Sequence, residues 1–190
     1  MHVARIVNGS VAATMFPWTV MVIKTSYGEV QSFGTGALVT PLHVITAAHL
    51  LQMPGEKVAI KYGSNVVEKM KIAPAVGVRT ISNRFRIEED IALLLLETPL
   101  SSVRRLCVPP LDSGDPDKIP PEGKPIVIAG FGAIEESAPG EGGFTPRQLM
   151  YTNEIVLPDN HCDDYEGVLI SKTFCAKARG TGICRTMVQN

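Results

Sequence analysis

The sequence carries almost no net charge and no long hydrophobic segment. Its 18 lysines and arginines nearly balance 19 aspartates and glutamates among 190 residues, and no basic run is long enough to hold a nucleic acid backbone. The longest unbroken apolar stretch, Ile91 to Leu96, is far shorter than the roughly 20 residues that a bilayer crossing requires. We therefore expect neither a nucleic acid partner nor a membrane-spanning segment.

Cysteine and histidine are also sparse, and neither is arranged as metal ligands usually are. The four cysteines form no CxxC pair and the four histidines lack zinc-ligand spacing, so we expect no metal. Cys162 and Cys175 enclose twelve residues. A disulfide closing such a loop would contribute about 3 kcal/mol and suits an oxidising compartment. Met1 to Arg5 is too short to hold the apolar core of a signal peptide, so we expect either that the start of the protein is missing or that it is not exported.

Helical periodicity is nearly absent, whereas turn-forming and β-branched residues are abundant. Seventeen glycines and fourteen prolines separate short strand-like runs rich in valine, isoleucine and threonine. These runs are Trp18 to Thr25, Thr35 to Val39, Lys57 to Tyr62, Ile91 to Leu96, Ile126 to Ala129 and Asn153 to Leu157. The pattern predicts an all-β fold, an antiparallel sandwich or barrel.

Only two helical pieces are predicted, and one polar connection divides the chain. The helical pieces are a turn at Ala47 to Gln52 and a short helix at Asp159 to Glu166, which Asp159 can cap. The proline-rich segment 111–124 cannot continue a β-ladder. We therefore predict lobes over residues 6–110 and 125–190, joined by 111–124.

Two residues carry candidate chemistry, although each also has an ordinary structural explanation. His49 follows two alanines whose small side chains permit a tight turn, and could simply be a packed histidine. Asp90 opens a buried apolar run and could simply mark a turn, since an unpaired buried carboxylate costs several kcal/mol. Composition and spacing alone favour the structural explanations over a catalytic pair.

Several short segments occur in an informative order. They are Arg5-Ile6-Val7-Asn8-Gly9, Phe16-Pro17-Trp18, Thr35-Gly36-Ala37-Leu38-Val39, Ile45-Thr46-Ala47-Ala48-His49, Asp90-Ile91-Ala92-Leu93-Leu94, Ala129-Gly130-Phe131-Gly132 and Phe174-Cys175-Ala176. In this order they resemble the activation junction, the glycine-rich strand, the histidine and aspartate segments and the later strands of chymotrypsin/trypsin-family serine proteases. The resemblance runs from Arg5 to Cys184.

The resemblance implies a double antiparallel β-barrel with an active site between the lobes. His49 would be the general base, and Asp90 would hold its ring in the useful tautomer. Cleavage of the Arg5–Ile6 bond would be the activation step. The family further implies protein or peptide substrates or protease inhibitors as partners, no cofactor, and an extracellular location.

The third member of the triad is missing from its expected place. The family has Gly-Asp-Ser-Gly-Gly after the cysteine that corresponds to Cys184, whereas this chain has Met187 in place of the aspartate and Val188 in place of the serine. The backbone donors of the oxyanion hole, each worth about 10²–10³ in rate, have no counterpart. The resemblance thus predicts a catalytically incompetent chain whose second barrel is incomplete.

Other departures from the family concern specificity and cysteine pairing. Gly182 lies where trypsin-like enzymes carry an aspartate, so a completed enzyme would prefer a large apolar or small side chain. Gly34 and Leu50 stand where the family has a disulfide beside the histidine. Cys107 resembles a propeptide-tethering cysteine, and Cys184 lacks its family partner, so both are expected to be free thiols.

Three interpretations of the divergent C-terminal residues stay open. The sequence after Cys184 could reflect a frameshift, an alternative exon or a misassigned reading frame of a complete serine endopeptidase. It could instead belong to a non-catalytic homologue that acts as a protein-binding module. It could also mark an unstable product, because lost strands leave an open edge.

Overall fold

The computed structural model describes ten stretches of the chain, and most of them are β-strand. The described residues are 5–7, 9–12, 16–26, 29–51, 57–80, 90–108, 120–132, 147–158, 174–177 and 182–184. Within these ranges the helical structure consists of two 3-10 turns, Ala48–Leu51 and Val67–Lys69. None of the helices in these ranges has the length and apolar character that a bilayer crossing requires.

Twelve strands are described, numbered in chain order. They are β1 Arg5–Val7, β2 Ser10–Val11, β3 Thr19–Ser26, β4 Glu29–Leu38, β5 His43–Thr46, β6 Lys57–Tyr62, β7 Lys71–Thr80, β8 Ala92–Leu96, β9 Pro125–Gly130, β10 Met150–Val156, β11 Ala176–Lys177 and β12 Gly182–Cys184. All their pairings are antiparallel.

Six of the strands close into a barrel around an apolar core. Their order is β3-β4-β5-β8-β7-β6. Alternate side chains of each strand point inward and exclude water, which supplies most of the favourable free energy of folding. The buried core consists of Val20, Val22, Leu38, Val44, Ile60, Ala73, Leu94, Leu96 and Leu100. Because the barrel is closed, each of its strands is paired on both sides over at least part of its length, which protects against aggregation.

A second, smaller sheet is built around β10. Strand β9 pairs along one edge of β10, while β2 and β11 pair with opposite ends of its other edge. Strands β1 and β12 form a separate two-stranded sheet. Strands β1 and β2, which come before the barrel in sequence, are therefore paired with strands from the C-terminal part of the chain.

The barrel and the second sheet share a buried cluster. Met21 and Ile23 project from the outer face of β3 and pack with Phe131 and Leu149, which lie beside the second sheet. Strand β3 is therefore buried on both faces over residues 20–23, which explains why these four residues are all apolar instead of alternating with polar ones. Phe131 is 0% exposed, so this cluster is a true interior rather than a surface contact.

The fold class predicted from the sequence is confirmed, with an all-β chain, a closed barrel and a partial second sheet. The predicted strand Lys57 to Tyr62 has the observed bounds, and the other five differ from the observed strands by one to several residues. Strand β7 was missed because Pro74 and Gly77 read as turn residues. Its pairing with β8 is irregular between Ala75 and Gly77, a local bulge of the kind that accommodates glycine in a strand, whereas Pro74 pairs in regular register with Ala59 of β6.

Several sequence predictions fall outside the described residues. These are the helix at Asp159 to Glu166, most of the connection 111–124, Cys162, Met187 and Val188. The predicted turn at Ala47 to Gln52 is observed as the 3-10 turn Ala48–Leu51.

Candidate active site

Strand pairing brings the two candidate catalytic residues to one end of the barrel. Strands β5 and β8 are antiparallel neighbours, and the last residue of β5, Thr46, lies opposite the first residue of β8, Ala92. His49 follows β5 by three residues, and Asp90 precedes β8 by two. The chain therefore leaves β5 and enters β8 at the same end of the barrel, which places the two side chains next to each other.

Asp90 contacts His49 through both of its carboxylate oxygens. The main-chain N–H of His49 donates to Asp90 Oδ1 at 2.7 Å, and the ring Nδ1 lies 2.5 Å from Asp90 Oδ2. Because an ionised carboxylate only accepts hydrogen bonds, the ring nitrogen facing it carries the proton. Both the position and the tautomer of the imidazole are thereby set by one side chain.

The pair is partly buried and partly exposed to solvent. The His49 and Asp90 side chains are 26% and 31% exposed. Charge-assisted hydrogen bonds of this kind are about twice as strong as neutral ones. Since Nδ1 is engaged by Asp90, Nε2 is the ring nitrogen left to take a proton from a reacting group. The arrangement can therefore act as an oriented general base.

A close contact between Leu50 and Gly34 supports the turn that carries His49. A Cβ atom on Gly34 would overlap Leu50 Cδ1 and would lie 2.9 Å from Cδ2 and 3.1 Å from Cγ. Leu50 thus packs directly over the glycine of β4. The two positions singled out from the sequence as a lost disulfide are in contact, with a leucine side chain filling the space above a glycine backbone.

Thr35 takes part in two hydrogen bonds that were not predicted from the sequence. The Thr46 hydroxyl donates to the Thr35 carbonyl oxygen at 2.9 Å, and the Phe131 main-chain N–H donates to Thr35 Oγ1 at 2.9 Å. The signal in the sequence is that Thr35, whose hydroxyl can accept a hydrogen bond, stands between Gly34 and Gly36, which have no side chain.

The predicted activation junction and specificity residue lie in the small two-stranded sheet. Arg5, Ile6 and Val7 of β1 are opposite Cys184, Ile183 and Gly182 of β12. The Arg5–Ile6 bond is therefore part of a β-ladder. Gly182 lies in the same ladder, because it pairs with Val7 of the strand that contains this bond.

The cysteines differ in their states. Cys107 is free and exposed. Cys175 is disulfide-bonded, but its predicted partner, Cys162, lies outside the described residues, so that pairing stays a prediction. In the described part of the chain, no cluster of three or more histidine, cysteine, aspartate or glutamate side chains could hold a metal ion.

Comparisons with known proteins agree with this geometry. A family model described as Trypsin matches residues 6–186. Transmembrane protease serine 9 of Rattus norvegicus is 28% identical over 184 residues, which cover 90% of this chain. The match covers only 16% of the length of that relative.

Proposed function

Because the chain belongs to the trypsin family, we propose that it is a serine-endopeptidase homologue that keeps the base and the orienting acid of the catalytic triad but lacks the nucleophile. His49 is the general base and Asp90 its orienting partner. The observation that carries this assignment is the double contact of the Asp90 carboxylate with the main-chain and ring nitrogens of His49.

A packed structural histidine would not need this arrangement. One hydrogen bond is enough to satisfy a ring nitrogen, whereas here the same carboxylate also accepts the main-chain N–H of His49. The second bond restricts rotation of the ring relative to the backbone, which is the preorganisation that proton transfer requires. The His49 side chain is also partly exposed, as a residue that acts on a bound substrate has to be.

The missing nucleophile follows from the residues after Cys184. Val188 has no atom able to attack a carbonyl carbon, and Met187 offers no carboxylate to an ammonium group on Ile6. Without a nucleophile beside it, the oriented base has no alcohol to activate. The chain as it stands is therefore catalytically incompetent, whatever the state of the Arg5–Ile6 bond.

A fluorophosphonate probe tests this proposal directly. The 190-residue protein should not be labelled, while trypsin in a parallel sample should be labelled completely as the control. Covalent labelling of any serine in the chain, lost on changing His49 to Ala, would contradict the absence of a nucleophile. Mass spectrometry of the labelled peptide would identify the residue responsible.

Further family features are proposed for this chain. Arg5–Ile6 is the activation bond, and Gly182 makes the specificity pocket suited to large apolar or small side chains rather than basic ones. Cys162 pairs with Cys175, which suits secretion into an oxidising compartment. The partners are protein or peptide substrates or protease inhibitors, and the lobes are 6–110 and 125–190.

A non-catalytic binding role is the alternative that one observation favours. The six-strand barrel closes around its own core, so a folded binding surface does not depend on a nucleophile. If this role is correct, the purified chain should be a soluble species with strong near-ultraviolet circular dichroism that binds a protein inhibitor of trypsin-like proteases. A weak near-ultraviolet signal with strong binding of a hydrophobic dye would rule out a folded binding module.

A further inference from the structure

Thr35 lies where the barrel meets the second sheet. Its Cα is paired with Met21, whose side chain projects from the outer face of the barrel into the cluster around Phe131. The Thr35 hydroxyl accepts the Phe131 main-chain N–H at 2.9 Å, across a sequence separation of 96 residues. The side chain of Thr35 therefore provides a direct polar connection from the barrel to the end of β9.

The main chain of Thr35 is bonded to the strand that leads to His49. The Thr46 hydroxyl donates to the Thr35 carbonyl oxygen at 2.9 Å, and Thr46 is only 6% exposed. Thr46 is the last residue of β5 and lies opposite Ala92, the first residue of β8. A shift of Thr46 would consequently move the starting points of both segments that carry the His49–Asp90 pair.

We propose that Thr35 is a positioning residue that holds the His49–Asp90 pair in register with the second sheet. This inference rests on the proposed function, in which His49 is the proton acceptor. The link runs from the Phe131 N–H to the Thr35 hydroxyl, and from the Thr35 carbonyl to the Thr46 hydroxyl. Each step is a single hydrogen bond of ordinary length.

The chemistry of this position is specific for a hydroxyl. Valine has nearly the shape of threonine but cannot accept a hydrogen bond, so Thr35→Val would leave the Phe131 N–H without its acceptor. The Phe131 side chain is 0% exposed and part of the shared cluster, so its backbone is not free to move out and find another partner. Serine keeps the acceptor and should keep the link.

The experiment measures how tightly Asp90 holds the His49 ring in the full chain. The rate at which the ring Nδ1–H exchanges with solvent is determined by nuclear magnetic resonance for the wild type, Thr35→Val, Thr35→Ser and Thr25→Val. Thr25 is a matched control, because it is a threonine on β3 whose hydroxyl bonds only to the Lys57 carbonyl among the contacts described. Asp90→Asn identifies the resonance by abolishing its protection.

The expected result is about tenfold or faster exchange in Thr35→Val, the factor for one lost buried hydrogen bond. Thr35→Ser and Thr25→Val should stay within about twofold of the wild type. Unchanged exchange in Thr35→Val, or equal acceleration in Thr25→Val, would overturn the proposal while leaving the function of His49 intact.

Two further outcomes complete the test. If the wild type shows no protected ring proton that depends on Asp90, the proposed function fails together with this inference. If Thr35→Val does not fold, the wild-type exchange rate of the Phe131 main-chain amide decides. Strong protection of that amide supports the link, and exchange as fast as in an exposed segment overturns it.

Discussion

The contact between Gly34 and Leu50 allows a quantitative test of how the His49 turn is held against the barrel. In Gly34→Ala the new Cβ would overlap Leu50 Cδ1 and lie 2.9 Å from Cδ2, so Leu50 must move. Overpacking of this kind costs about 1–3 kcal/mol. Leu50→Ala removes a half-buried side chain, and we expect a loss of about 2 kcal/mol, the lower end for such truncations. In the double variant the clash is gone, so it should be no less stable than Leu50→Ala.

The assay is urea unfolding followed by the fluorescence of Trp18, the single tryptophan, which packs against the barrel core. The three variants should give a coupling free energy of about 1–3 kcal/mol. Gly77→Ala is the control, because its Cβ would meet Leu95 at an ordinary 3.5 Å. It should leave stability unchanged or raise it by up to about 1 kcal/mol. Additivity of the Gly34 and Leu50 substitutions within about 0.5 kcal/mol would refute the reasoning.

Three other predictions concern the barrel, the shared cluster and the activation bond. Gly36→Ala should lower the free energy of unfolding by about 3 kcal/mol in urea titration, because its Cβ would lie 2.8 Å from Val44 Cγ1 and 3.0 Å from the Ile45 carbonyl oxygen. Phe131→Ala should cost about 3–5 kcal/mol in the same assay, since it empties the centre of the cluster between the barrel and the second sheet. Trypsin should cut the Arg5–Ile6 bond at least about tenfold more slowly in the folded protein than in a peptide of residues 1–11, because strand β1 is paired with β12. Equal cleavage rates in quantitative mass spectrometry would show that this pairing does not protect the bond.

The all-β class could be predicted because its signals are local. Runs such as Lys57 to Tyr62 carry β-branched residues between turn signals, and the structure gives that strand the same bounds. Strand β7 could not be predicted in the same way. Its Pro74 and Gly77 are turn residues by local preference, yet both lie in a strand that pairs with β6 and β8 and has an irregularity between Ala75 and Gly77. Tertiary pairing there outweighs local propensity.

In the candidate site, too, the residues within short local motifs could be predicted, whereas contacts between distant segments could not. His49 and Asp90 were singled out from short motifs, and the structure brings them together because β5 and β8 are neighbours. The contact of Leu50 with Gly34 was foreshadowed by the loss of both cysteines expected there. The Thr35 link was not predictable, because its acceptor and donor are 96 residues apart and no local pattern records the approach of β9 to β4. The catalytic roles of His49 and Asp90 stay predictions.

The tautomer of the His49 ring tests the central claim most directly. A two-dimensional proton–nitrogen correlation spectrum of uniformly ¹⁵N-labelled protein at neutral pH reports which ring nitrogen carries the hydrogen. The double contact with Asp90 predicts a proton on Nδ1 and a bare Nε2, ready to accept one. A neutral ring protonated on Nε2 would contradict the account, since Nε2 would then be a donor and could not accept the proton of a reacting group.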